Sequence, residues 1–170
     1  MENIIEKLNL KELEHESGLF RLECISRLQV EARDGPSPAS NCIYYALTRE
    51  FPQNHLHWLI PDDYHILIEG GPADYYLFYP DGRAEKKTLG REIESGQMPI
   101  VLAEAGCGKA VRLQEGAEYI LVGSVNTPAW TPERVSFGGG KEFIERYTHQ
   151  ADWATPEFLR ELIGPNWKES

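Results

Sequence analysis

Short extended runs, each cut by a turn built on Gly or Pro, limit what this chain can fold into. Leu19 to Val30 alternates loosely, and Cys42 to Thr48, His55 to Ile60 and Tyr64 to Glu69 follow as further runs. Tyr75 to Tyr79 is aromatic, and Arg83 to Leu89 returns from it. Ile100 to Leu102, Ala110 to Leu113 and Tyr119 to Val125 continue the style. The breaks are Asp34-Gly35-Pro36-Ser37-Pro38, read as a loop, then Phe51-Pro52-Gln53-Asn54, Pro61-Asp62-Asp63, Gly70-Gly71-Pro72 and Glu115-Gly116. Pro80-Asp81-Gly82 is a hairpin turn signal. Many short strands separated by such turns predict an all-β sandwich or barrel.

The ends read differently. Ile4, Ile5 and Leu8 recur at helical spacing, and the pattern predicts a short helix over 3–13. Thr155 is an N-cap candidate, Pro156 suits the first helical position, and Gly164-Pro165 is a stop. A shorter helix is expected from Lys141 to Tyr147. The expected organisation is one domain over 1–170: a helical segment (1–18), a β-barrel (19–137) and a helical tail (138–170).

Charge narrows the partners. The 170 residues carry 17 Lys+Arg against 27 Asp+Glu, a formal charge of −10. Binding along nucleic-acid backbones needs clustered cations, so no nucleic-acid partner is expected. Cys24, Cys42 and Cys107 are odd in number and form no CxxC pair, which argues against a disulfide framework or thiolate zinc site. Without a signal-like apolar segment or a membrane-length run, the expectation is a soluble cytoplasmic protein with no membrane partner.

The densest polar cluster is Asn54-His55-Leu56-His57, followed by Asp62, Asp63 and His65. On a regular strand, residues i and i+2 share a face. His55 and His57 would then point the same way, and with Asp63 they could ligate a divalent metal. Alternatively, one His faces solvent and the other satisfies a buried partner. His57 also suits general-base chemistry near neutral pH. Arg21 could clamp an anion, and Cys107 beside Lys109 could have a lowered thiol pKa. Tyr75, Tyr76, Phe78 and Tyr79 read as β-core, and Trp58, Trp130, Trp153 and Trp167 as packing residues.

Several segments in order resemble the cupins, and among them the cupin type-5 family, a domain of unknown function. They are Glu14-His15-Glu16-Ser17-Gly18-Leu19-Phe20-Arg21, Ser40 to Thr48, His57 through Asp62-Asp63 to Gly70-Gly71-Pro72, Tyr79-Pro80-Asp81-Gly82, and Ala105-Gly106 to Leu113. The resemblance implies a cupin jelly roll, a double-stranded β-helix with a pocket in one mouth. It also implies where metal ligands would stand. His55 and His57 match the HxH pair, Asp63 or Asp62 replaces a Glu, and Lys109 replaces the last His. An ammonium only donates and repels a cation. No cofactor is therefore expected, with room left for a weakly bound divalent metal at His55, His57 and Asp63.

Three functions follow as expectations. The first is a small polar ligand, sugar-like or a carboxylate, held by Arg21, Tyr45, His55, Glu104 and Lys109. The second is a metal-independent sugar-nucleotide epimerase or isomerase, with His57 as base, Asp63 as its partner and Tyr44 or Tyr45 as acid. The third is a non-enzymatic structural or interaction module. A homodimer is expected in each case.

Overall fold

The computed structural model describes residues 2–169. Helix α1 (Glu2–Leu8) opens the chain and ends where Asn9 turns left-handed at φ 50°. The helix expected over 3–13 is therefore shorter, and Lys11–Glu12 within that span form strand β1. Then come β2 (Leu19–Ile25), β3 (Gln29–Ala32), β4 (Gly35–Pro38), β5 (Asn41–Thr48), β6 (Gln53–Leu59), β7 (Asp62–Gly70), β8 (Ala73–Phe78) and β9 (Ala84–Leu89). The last strands are β10 (Ile100–Ala103), β11 (Gly108–Leu113), β12 (Tyr119–Thr127) and β13 (Val135–Phe137), before helices α2 (Lys141–Tyr147) and α3 (Pro156–Ile163).

The strands form an antiparallel six-stranded sheet, β1-β2-β5-β12-β7-β10, and a five-stranded one, β13-β6-β11-β8-β9. A core of Tyr45, Leu47, Tyr75, Leu77, Val111 and Val122, among others, joins their inner faces. No ladder closes the two sheets into one cylinder among the described residues, because the edge strands β1 and β10 share none with β13 or β9. The closed barrel expected from the sequence is thus a pair of facing sheets.

Helices cover both outer faces. Ile4, Ile5 and Leu8 of α1 pack near Ala46 and Leu121 on the six-stranded sheet. On the other side α2 and α3 bury Phe143, Tyr147, Leu159 and Leu162 against Leu56, Tyr76 and Phe78. Alternation along β8 explains its aromatic content: Tyr75 and Leu77 face the inner core, and Tyr76 and Phe78 face the helices. The α3 boundaries follow the sequence signals, since Thr155 accepts from the Phe158 N–H and Gly164 ends the helix. None of the helices is long and apolar enough to cross a membrane, among the described residues.

One expected loop is a strand. Gly35–Pro38 pairs with Gln29–Ala32 in a separate two-stranded ribbon. Prolines fit there because a ribbon strand has an open edge that needs no donor. Buried Arg134 anchors the ribbon: its guanidinium donates twice to Asp34, and also to Ser37 Oγ and the Ala129 carbonyl.

Candidate functional site

A cavity of about 230 Å³ opens between the sheets. Its polar floor is built mainly by four segments.

The first is the loop between β1 and β2, which carries Glu16. His15 and Ser17, on either side, hold left-handed backbone at φ 64° and 68°. Such conformations are strained for non-glycine residues and persist only where surroundings enforce them. Here the loop's carbonyls are held from three sides. Asn166 Nδ2 donates to His15 O, the His55 N–H to Glu16 O (2.7 Å) and Tyr45 Oη to Ser17 O (2.7 Å). Gly18 is required beside them: a Cβ there would lie 2.3 Å from Tyr45 Oη.

The second is β6. Between Asn54 and His57 the ladder with β11 slips, so that Val111 pairs with Asn54 and Lys109 with His57. Three steps on β6 match two on β11, a β-bulge. The bulge reverses the alternation. Asn54 and His57 line the cavity, while Leu56 packs under the helices. His55 turns away, its Nδ1 lying 3.0 Å from Gln53 Nε2 near Gly164. The shared HxH face expected from regular spacing is therefore lost.

His57 is fully buried, and its Nδ1 lies 2.9 Å from the His55 carbonyl. A carbonyl only accepts, so Nδ1 holds the ring proton and Nε2 is an acceptor, assigned from the network. Nε2 lies 3.4 Å from Glu16 Oε2. Burial lowers the His57 pKa; the Glu16 carboxylate opposes this and the Lys109 ammonium adds to it. The neutral ring is thus favoured, with its lone pair toward the carboxylate side.

The third and fourth contributions come from β7 and β11. Lys109 donates to Asp63 Oδ2 and, at 2.9 Å, to His65 Nε2. Because an ammonium has no lone pair, His65 Nε2 accepts, and its Nδ1–H donates to Tyr75 Oη at 2.8 Å. Ser124 Oγ donates to Asp63 Oδ1 at 2.8 Å. Burial alone would raise the Asp63 carboxyl, but the Lys109 ammonium beside it opposes this, and the pKa lies well below the usual range. Burial and then Lys109 push His65 down. This half of the floor is a fully buried ion pair with its polar atoms engaged.

The walls are apolar: Leu13, Phe20, Ile43, Tyr45 and Leu59, with half-exposed Leu22 and Trp130 at the rim. Trp130, expected as a packing residue, is instead exposed at the rim and lines the cavity, and its backbone N–H donates to Asn41 Oδ1 at 2.6 Å.

Of the residues singled out from sequence, His57, Asp63, Tyr45 and Lys109 meet in this cavity. Arg21, Tyr44, His55 and Glu104 do not. Phe20 and Leu22 face inward, so Arg21 between them faces out, pairing with Glu23 and stacking on Tyr44 at 5.1 Å. Tyr44 packs with the α1 cluster. Glu104 is exposed on the turn before β11, which Asp62 holds by accepting from the Ala105 N–H. Lys109 pairs with Asp63 and not with Glu104. Cys107 is buried, and burial pushes its thiol up to about 11, against the lowered value expected beside Lys109.

Glu16, Asn41, Asn54, His65, Ser124 and Asn126 are polar cavity residues to which pattern reading gave no role. Among the described residues, no three His, Cys, Asp or Glu side chains converge to hold a metal ion. The donor set does not fit a cation either: His55 turns away, and the Lys109 ammonium already sits between Asp63 and His65.

The family described as Cupin superfamily (DUF985) matches residues 2–138. The chain belongs to this cupin family. An uncharacterized protein of Saccharomyces cerevisiae, YML079W, is 30% identical over 123 residues, 71% of this chain and 61% of that protein. The cupin chain therefore spans about three-fifths of that curated relative's length. Two solved structures share the fold across nearly the whole chain. A hypothetical protein from Leishmania major superposes with TM-score 0.80 at 21% identity, covering 95% of this chain and 97% of its own. Protein SO0799 from Shewanella oneidensis gives 0.79 at 21%, covering 95% of each.

Proposed function

We propose that this cupin binds a small uncharged ring compound, sugar-like in carrying hydroxyl donors on one side, in the cavity between its sheets. The observation that carries the reading is the unpartnered Asn54 Oδ1, buried on the cavity floor beside Glu16. A buried acceptor without a donor costs about 1–3 kcal/mol, so a ligand hydroxyl there gains in proportion. His57 Nε2 and the Glu16 carboxylate add acceptors at the same pole.

Charge decides between the two expected ligand classes. Lys109 is the only Lys or Arg lining the cavity among the described residues, and Asp63 neutralises it. Arg21 faces outward, so a carboxylate ligand would meet Glu16 without a free cation. The volume suits one ring and is below the roughly 300 Å³ at which sites for drug-sized ligands begin. The walls take the apolar C–H side of such a ring. In this reading the facing sheets act as the two halves of a jelly roll around the pocket.

Calorimetric titration with neutral monosaccharides and cyclic polyols, against matching uronic acids, tests the proposal. Neutral compounds are expected to bind, with Asn54→Leu and Glu16→Gln each weakening binding about tenfold, or 1.4 kcal/mol. Binding by the acids alone would reject it.

The His57 and Glu16 pair favours a second reading, a metal-independent isomerase or epimerase acting on a keto sugar. Nε2 is the base and the carboxylate stabilises the imidazolium. Glu16 takes the partner role expected of Asp63, and a nucleotide on the substrate would have to lie outside the cavity, past Trp130. Solvent deuterium should enter the carbon beside the carbonyl, and His57→Gln should abolish it. The non-enzymatic module is disfavoured by a cavity that the chain's own side chains leave unfilled.

A further inference from the structure

Outside the cavity, the most specific unassigned chemistry is a pair of thiols. Cys24 on β2 and Cys42 on β5 are direct cross-strand partners in an antiparallel ladder. Partners in such a ladder point to the same side of the sheet. Cys42 alternates with Asn41 and Ile43, which line the cavity, so both thiols lie on the outer face of that wall. Cys24 is exposed and Cys42 half-buried, so small molecules reach the pair.

We propose that Cys24 and Cys42 are a thiol–disulfide exchange site that forms a reversible cross-strand disulfide with small dialkyl disulfides as oxidant. Paired residues in an antiparallel ladder have Cα atoms about 4.5 or about 5.5 Å apart. Both spacings fall within the roughly 4.4–6.8 Å that disulfides span. The bulge between Leu22 and Cys24 lies directly beside the pair and supplies local backbone freedom.

The order of events follows from exposure. Exposed Cys24 loses its proton to solvent, and the thiolate attacks one sulfur of the small disulfide. That S–S bond breaks, one small thiolate leaves, and a mixed disulfide remains on Cys24. Cys42 then loses its proton and attacks the Cys24 sulfur, expelling the second small thiolate. Two protein thiols are oxidised by two electrons, and one small disulfide is reduced to two thiols. Burial, the neighbouring Cys24 and Glu23 raise the Cys42 thiol, which leaves the first attack to exposed Cys24. The resulting bond staples β2 to β5 behind Phe20, Leu22 and Ile43.

The test equilibrates the folded native chain with mixtures of oxidised and reduced glutathione, then maps peptides without reduction. The expected result is a Cys24–Cys42 crosslink within one chain, with buried Cys107 still a free thiol. Cys42→Ser should stop at a glutathione adduct on Cys24, and Cys24→Ser should react about tenfold more slowly than wild type. Both outer positions tolerate Ser, and Cys107 protection reports that each variant is folded. The proposal is overturned if wild type accumulates the Cys24 adduct as Cys42→Ser does, or if crosslinks form only between chains.

Discussion

Lys109 lies directly opposite His57 in the ladder between β11 and β6, and both side chains line the cavity. The two play unlike parts. Lys109 is committed to Asp63 and His65, whereas His57 keeps an acceptor nitrogen facing Glu16. The floor therefore has a saturated half and a half with acceptors to spare.

Removing Lys109 should be costly. In Lys109→Met, Asp63 stays buried with only Ser124 and His65 for company. Breaking a buried pair from one side costs about 3–5 kcal/mol. Pairing Lys109→Met with Asp63→Asn should recover most of that loss. Urea midpoints of the two singles and the double measure the coupling; purely additive losses would show that the pair is not coupled.

Acid should weaken the fold in two stages. Burial lowers the pKa values of His55, His57 and His65. Unfolded, each binds a proton near pH 6.5, so the unfolded state takes up more protons as pH drops below about 6.5. Stability declines from there. Asp63, held well below its ordinary value, contributes fully above about pH 3.9 and loses that contribution as pH falls further. Denaturation curves across this range should show both stages, with the first shallower in His57→Gln. A stability profile flat between about pH 7 and pH 5 would contradict the buried neutral histidines.

Arg134 should govern the β3–β4 ribbon. Arg134→Met removes its four donations to Asp34, Ser37 and Ala129. Amide exchange in Gln29–Pro38 should accelerate about tenfold or more, while the facing sheets keep their protection. Equal acceleration everywhere would mean that the clamp supports the whole fold.

Much of the architecture was legible in local chemistry. Turn residues at Pro80-Asp81-Gly82 mark a hairpin because Asp81 caps the Arg83 N–H and Gly82 adopts φ 97°. Thr155 and Gly164 bracket α3 for similar local reasons. The site was legible only where strand alternation holds. A bulge leaves no residue signature, so regular alternation puts His55 on the wrong face. Alternation on β5 restricts the inward tyrosine to one of Tyr44 and Tyr45, and only the packing of α1 against Tyr44 selects Tyr45. Glu16 sits on an irregular loop whose position depends on Asn166 and Tyr45, both remote in the chain. The early Glu and Gly of that segment were visible, and their delivery into the cavity was not.

The most direct test of a ligand site at the Glu16–His57 pole is the ring 15N NMR of His57 during titration with a neutral monosaccharide. The free protein should show a protonated Nδ1 and an unprotonated Nε2. The Nε2 signal should then move saturably, in step with calorimetric binding, while exposed His149 stays put. Saturable binding that leaves the His57 Nε2 signal unmoved would contradict the account.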